Sequence, residues 1–174
     1  MVELSSFERR VLTKPWVVID SSIILAAGAP GFPNKQIQCV KYLNKANKEY
    51  QPFITKPIMG ELLRELTKLK DMNLSLNAFQ FVREIILSFK YIPHMHLDQN
   101  DVDFLSNKFS IIPYDDMLHI AHICKANKEW AKNHGAPSNI SFATIDSKIT
   151  DLDIRRYLSS RLGIQIINPL SLSL

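Results

Sequence analysis

Residues 16–24 read Trp16-Val17-Val18-Ile19-Asp20-Ser21-Ser22-Ile23-Ile24, and this stretch decides the fold class. Its first half is a short unbroken apolar run that ends on a carboxylate. A strand packed on both faces reads this way, because no alternate residue has to face water. Strands of that kind belong to parallel sheets with helices on both sides. An aspartate directly after such a strand stands at a sheet edge, where it stays hydrated while its neighbours tie it to the core.

Outward from this stretch, strands and helices alternate. The glycines and prolines of AAGAPGFPN break the chain after the first strand. Apolar residues at helical spacing predict a helix from about 35 to 48, and Gln51 to Ile54 reads as a second strand. Thr55 is placed to cap the next helix, with Pro57 in its first turn and Ile58, Leu62, Leu66 and Leu69 as its apolar stripe. Residues 75–88 predict another helix, 89–93 a short strand or a connection, and Asp98 with Asp101 the opening of a small helix. A long helix is expected from about Asp115 to Asn133, with Gly135 just past its end. A strand at 140–143, a helix at 151–162 and a strand at 164–167 complete the pattern. The expected fold is α/β, a three-layer α/β/α sandwich with a mostly parallel central sheet. Residues 1–14 read as a polar N-terminal arm and 15–170 as a single domain.

Three more acids stand at the edges of apolar runs: Glu61 in KPIMGELLREL, Asp116 in IIPYDDMLHIA and Asp146 in ISFATIDSK. Each alone has a plain reading. Asp20 and Asp146 suit turns. Glu61 shares its helix with Arg64, Glu65 and Lys68 and suits a solvated face. Asp115 and Asp116 suit a helix N-terminus, where the macrodipole favours acids. Together they read differently, because functional groups in open parallel sheets gather beyond the carboxyl ends of the strands. Four carboxylates at one edge repel unless a cation lies between them, and hard divalent cations take oxygen ligands.

The chain has 174 residues, 46% of them hydrophobic and 22% charged, which suits an ordinary globular protein with a sizeable core. Its formal net charge is +4 despite the acids, so basic charge lies elsewhere and suits a polyanionic substrate. Lys125, Lys128 and Lys132 follow Asp116 on the same expected helix, Arg155, Arg156 and Arg161 follow Asp146, and Lys56, Arg64 and Lys68 flank Glu61. For any single one of them a solvated helix face is the plainer reading. Cys39 and Cys124 form no Cys-x-x-Cys pair, which argues against a disulfide framework or a cysteine zinc site, and Cys124 reads as core. His94-x-His96 and His119-x-x-His122 would bind zinc only if brought together; a partly exposed histidine pair is the plainer reading. There is no Gly-x-Gly-x-x-Gly, Walker sequence or nucleophile elbow. The stretch MVELSSFERRVLTK has no apolar signal core and no run approaches membrane-spanning length, so a cytoplasmic protein is expected.

In four places the chain resembles the PIN-domain family of metal-dependent ribonucleases: VVIDSSIIL, ITKPIMGELL, YDDMLHIAHI and FATIDSKI. The resemblance covers roughly residues 16 to 168. It implies an α/β/α fold and a Mg²⁺- or Mn²⁺-dependent endoribonuclease with one or two ions. Carried over residue by residue, the acids are Asp20, Glu61, Asp116 and Asp146, with Ser21 and Thr144 as supporting polar neighbours. RNA contact is expected from Lys125, Lys128, Lys132, Arg155 and Arg156. The resemblance also implies a protein inhibitor or antitoxin as partner, a toxin-antitoxin role of the VapC type, and a homodimer. Two departures stand out. Lys148 occupies a position where the family often has a further acid, and Asp115 adds an acid beside Asp116. Asp116 fits better because the apolar helix start Met117 to Ala121 follows it directly. Two other readings stand beside the ribonuclease: a catalytically weak RNA- or protein-binding module of the same fold, and a DNA-acting single-strand or flap nuclease.

Overall fold

The computed structural model describes residues 14–28, 33–68, 72–91, 97, 99–134 and 140–172. Five strands, β1 (Trp16–Ile19), β2 (Gln51–Ile54), β3 (Lys90–Tyr91), β4 (Ile140–Ala143) and β5 (Gln165–Ile167), form one sheet in the order β3-β2-β1-β4-β5. Every pairing in it is parallel. The helices described are α1 (Ser21–Gly28), α2 (Pro33–Glu49), α3 (Lys56–Thr67), α4 (Met72–Ser88), α5 (Gln99–Lys108), α6 (Tyr114–His134) and α7 (Leu152–Leu162), followed by a 3₁₀ turn at Pro169–Ser171.

Val17, Val18 and Ile19 of β1 are fully buried, and all four residues of β4 are buried. Successive strand residues point to opposite faces, so burial of every residue requires helices on both. The three-layer α/β/α arrangement expected from WVVI is the one observed. No helix among the described residues is long and apolar enough to cross a membrane.

The strand order positions the site. β1 has β2 on one side and β4 on the other. The chain therefore winds outward through β3 and then returns to the opposite edge of β1. Connections leave β1 and β4 in opposite directions, which opens a crevice at their C-terminal ends. Ile19 pairs with Ala143, so Asp20 and Thr144 leave the sheet side by side. The Asp20 N–H extends the ladder by donating to the Ala143 carbonyl at 2.9 Å.

Local chemistry sets the element ends. Thr55 is the N-cap of α3, its side chain accepting from the Ile58 N–H, and Pro57 lies in the first turn. Asp151 caps α7 by accepting from the Asp153 and Ile154 N–H groups. Gly163 ends α7 at φ 66, the left-handed conformation that terminates helices and that other residues adopt only with strain.

Three differences from expectation have simple causes. Helix α1 begins directly after Asp20, where no helix was expected. It is eight residues long and apolar after its two opening serines, so it carries no amphipathic period to be read. The segment at 89–93, left between strand and connection, contains the two-residue strand β3. Helix α4 starts at Met72 rather than near 75. Residues 1–13 of the expected N-terminal arm, Asp98, Gly135, His94 and His96 lie outside the described residues.

Candidate metal centre

Asp20 sits at the head of the crevice and is 3% exposed. A buried carboxylate needs compensating donors, and two hydroxyls supply them to one oxygen. Thr144 Oγ1 donates to Asp20 Oδ2 at 2.7 Å, and Ser22 Oγ donates to the same atom. Thr144 Oγ1 in turn accepts from the Asp146 N–H at 3.0 Å. The hydroxyl of Thr144 therefore joins the first and last acidic stations in one chain of hydrogen bonds. Asp146 Oδ1 accepts from the Lys148 N–H at 2.7 Å, closing the turn after β4.

Glu61 is held from the other side. Ser21 Oγ, at the start of α1, donates to Glu61 Oε2 at 2.6 Å across 40 residues. Glu61 lies in the second turn of α3, and α1 reaches it because it departs from β1 at once. His119 on α6 places Nε2 3.5 Å from the same Oε2. Asp20, Glu61 and His119 each offer one ligand atom, and the three atoms lie within 4.8 Å of one another.

Asp116 and Asp146 fall outside this tight trio but not outside its field. The Asp116 carboxyl is pushed up from 3.8 to about 7. Burial is the first cause, followed by repulsion from Asp146, Asp20 and Glu61, with Lys148 pulling the other way. Asp116 thus lies within reach of the other three acidic stations. Asp115, its neighbour in sequence, turns outward and pairs with Arg64 of α3 at 3.1 Å, both side chains about half exposed. Pro57, Gly60, Glu61, Arg64, Asp115, Leu118 and His119 line a cleft of about 310 Å³.

His119 and His122 are both buried, at 2% and 4% exposure, which corrects the expectation of a partly exposed pair. They also behave differently. His122 Nδ1 donates to the Leu118 carbonyl of its own helix at 2.8 Å. His119 Nδ1 is buried with no hydrogen-bond partner among the described residues, and its burial lowers the ring's pKa despite the pull of Asp20 and Glu61. An imidazole three residues after Asp116 shares its helix face, and that spacing is the signal that links it to the acids. Ser22 was likewise missed. Its signal was its place two residues past Asp20, within reach of that side chain.

The donor set fits a divalent cation. It combines two carboxylates anchored through one oxygen each, a third with a strongly raised pKa, and a buried imidazole, all at the open end of a parallel sheet. The basic candidates are placed less closely. Lys125 is half-buried and Lys128 and Lys132 are exposed, and Lys132 lies 16 residues beyond Asp116, about 24 Å along the helix axis. Arg155 is half-buried, and Arg156 is exposed with a loose contact to Asp153 at 4.0 Å.

No family model matches the chain, and no curated protein matches it in sequence. In three dimensions it is similar to FitAcB from Neisseria gonorrhoeae, with a TM-score of 0.55 and 13% identity over 90% of this chain and 99% of that one. It is also similar to VapBC2 from Rickettsia felis, solved bound to a DNA fragment from their promoter, with a TM-score of 0.54 and 14% identity over 88% and 98%. PAE2754 from Pyrobaculum aerophilum gives a TM-score of 0.50 and 14% identity over 90% and 92%. At such identities the likeness is one of fold.

Proposed function

We propose that this chain, which shares the PIN-domain fold of FitAcB and VapBC2, is a divalent-cation-dependent endoribonuclease that hydrolyses RNA phosphodiester bonds in the cleft between α3 and α6. The observation that carries the reading is the approach of Asp20, Glu61 and His119 to within 4.8 Å, with Asp20 and Glu61 close enough to repel Asp116.

Asp20, Glu61, Asp116 and Asp146 hold the cation in this reading. When bound, a Mg²⁺ or Mn²⁺ ion supplies charge neutralisation on the phosphate and a more acidic water. The protein's own part is preorganisation. Thr144 and Ser22 fix Asp20 through Oδ2, and Ser21 fixes Glu61 through Oε2, so neither carboxylate has to reorient as charge develops. Asp116 is protonated in much of the metal-free protein at neutral pH and gives up that proton when positive charge enters the cleft. Arg64, at the rim, keeps guanidinium N–H groups to offer a phosphate while Asp115 orients it. No side-chain nucleophile is required. A protein inhibitor of the antitoxin type is the partner we propose, supported by the likeness to FitAcB and VapBC2.

The test is cleavage of RNA and of single-stranded DNA by the purified chain with Mn²⁺, with EDTA as control, on the parent and on Asp20→Asn. Cleavage of RNA that needs the ion and falls at least about a hundredfold in the variant supports the reading. Activity that persists in EDTA sinks it, and preferential DNA cleavage transfers the site to the DNA-acting alternative.

A further inference from the structure

We infer that His119 contributes a ring nitrogen to the cation site and so selects a first-row transition ion such as Mn²⁺ over Mg²⁺. This rests on the reading of the acidic cluster as a cation site, and it adds a donor that the four acidic stations do not supply.

Spacing is the first argument. An octahedral ion with donors at about 2.1 Å separates adjacent donors by about 3 Å and opposite ones by about 4.2 Å. The donor atoms of Asp20, Glu61 and His119 all lie within 4.8 Å of one another, and Nε2 stands 3.5 Å from Glu61 Oε2. The 3.5 Å separation falls inside that range, and the 4.8 Å limit exceeds its upper end by about 0.6 Å, so a side-chain adjustment of under about 1 Å brings the set onto one small ion.

The second argument is that hydrogen bonding leaves His119 unexplained. Its Nε2 is at the far limit for a bond to Glu61, and that oxygen already accepts the Ser21 hydroxyl at 2.6 Å. Its Nδ1 is buried and has no partner among the described residues. Buried polar atoms in a settled core are normally bonded. His122, one turn further along the same helix and equally buried, bonds Nδ1 to the Leu118 carbonyl of its own helix, and its Nε2 is buried away from the acids. What sets His119 apart is its place: its ring stands against Glu61 and Asp20, whereas His122 turns to its own helix.

The third argument is donor chemistry. Mg²⁺ is a hard ion that prefers oxygen and keeps its waters, whereas imidazole nitrogen favours the transition ions. Two carboxylates and one imidazole make a mixed set that narrows the choice made by oxygen donors alone.

The experiment is pulsed electron paramagnetic resonance on the Mn²⁺-loaded protein, with Mg²⁺ competition followed by the loss of bound Mn²⁺. The expected result is a directly coordinated nitrogen in the parent that changes to the ¹⁵N pattern when the histidines are ¹⁵N-labelled. His119→Gln, which keeps an N–H group beside Glu61 but removes the imidazole donor, should lose that signal and lower the Mn²⁺:Mg²⁺ preference about tenfold. The labelled parent keeps the test independent of how well the variant folds. Bound Mn²⁺ without nitrogen coupling, or an unchanged preference in His119→Gln, overturns the inference and leaves the nuclease reading intact. Nitrogen coupling in a protein that cleaves no RNA does the reverse. Absence of any Mn²⁺ binding overturns both.

Discussion

Arg64 and Asp115 form an ion pair of 3.1 Å between α3 and α6, at the mouth of the acidic cleft. Consecutive helical residues point about 100° apart, so Asp115 and Asp116 meet the cleft differently: Asp115 lines its rim with Arg64 and acts on His119. Arg64 holds Asp115 on the outside. Asp116 instead feels Asp146, Asp20 and Glu61 strongly enough to raise its carboxyl to about 7.

A pair of substitutions separates the two neighbours. Asp116→Asn should lower ion-dependent RNA cleavage at least about a hundredfold, the scale of a lost electrostatic contact in the site. Asp115→Asn should change it only a few-fold, because an exposed ion pair is worth about 0–1 kcal/mol. Single-turnover rates with saturating Mn²⁺ read both. A larger loss at Asp115 would overturn the assignment while leaving the mechanism standing.

Thr144 offers a test of preorganisation. Its hydroxyl is fully buried, donates to Asp20 Oδ2 at 2.7 Å and accepts from the Asp146 N–H at 3.0 Å. Thr144→Val keeps the shape, leaves the Asp146 N–H without its acceptor and takes from Asp20 one of its two hydroxyl donors, a cost of about 1–3 kcal/mol in unfolding free energy. It should also weaken Mn²⁺ binding about tenfold, because Asp20 loses one of the groups that aims it. Urea unfolding and Mn²⁺ titration measure the two effects. Unchanged affinity would show that Ser22 alone suffices to aim Asp20.

How far these arrangements were legible in the chain varied with their range. The unbroken run of β1 and the long period of α6 are local features, and both elements appear within a residue or two of expectation. Asp20 followed from β1 because a carboxylate ending a doubly buried strand has few places to go. Helix α1 was illegible because its only polar side chains, Ser21 and Ser22, are adjacent in the first turn and the apolar residues after them show no period. The division of labour between Asp115 and Asp116 was illegible for another reason. It depends on Arg64, 51 residues away on another helix. His119 lay between these cases. Its helix phase relative to Asp116 is local, whereas its burial against Glu61 is set by the packing of α3 on α6.

The raised Asp116 carboxyl predicts a pH dependence of the metal-free protein. A folded value of about 7 against the ordinary 3.8 means that the fold favours the protonated form. That contribution is complete below pH 3.8 and is lost as pH rises toward 7, so Asp116 makes the metal-free protein less stable across that window. Asp116→Asn removes the group and with it the slope. In EDTA the variant should melt above the parent at pH 8 and level with it near pH 4, and saturating Mn²⁺ should stabilise the parent more than the variant at pH 8. Parallel melting curves for the two proteins from pH 4 to 8 would contradict the mutual repulsion of the four acids.

Arg64 and Lys132 separate cations near the chemistry from cations elsewhere. Arg64 is one helical turn from Glu61, at the edge of the cleft, and its guanidinium is oriented by Asp115. Lys132 is exposed on α6, about 24 Å along the axis from Asp116, so only a long RNA reaches both. Each phosphate contact to a single strand contributes about 0.7 to the slope of log affinity against log salt. On a short oligonucleotide, Arg64→Gln should reduce that slope by about 0.7 and raise KM more than it lowers kcat, because it removes a grip on the substrate rather than a donor to the ion. Lys132→Gln should leave both unchanged on the short RNA and reduce the slope only on a longer one. Fluorescence anisotropy of labelled RNAs of two lengths, between 50 and 200 mM salt, reads the difference. An Arg64→Gln slope equal to the parent's would move the entry path of the strand to the opposite side of the cleft, toward Lys148 beside Asp146.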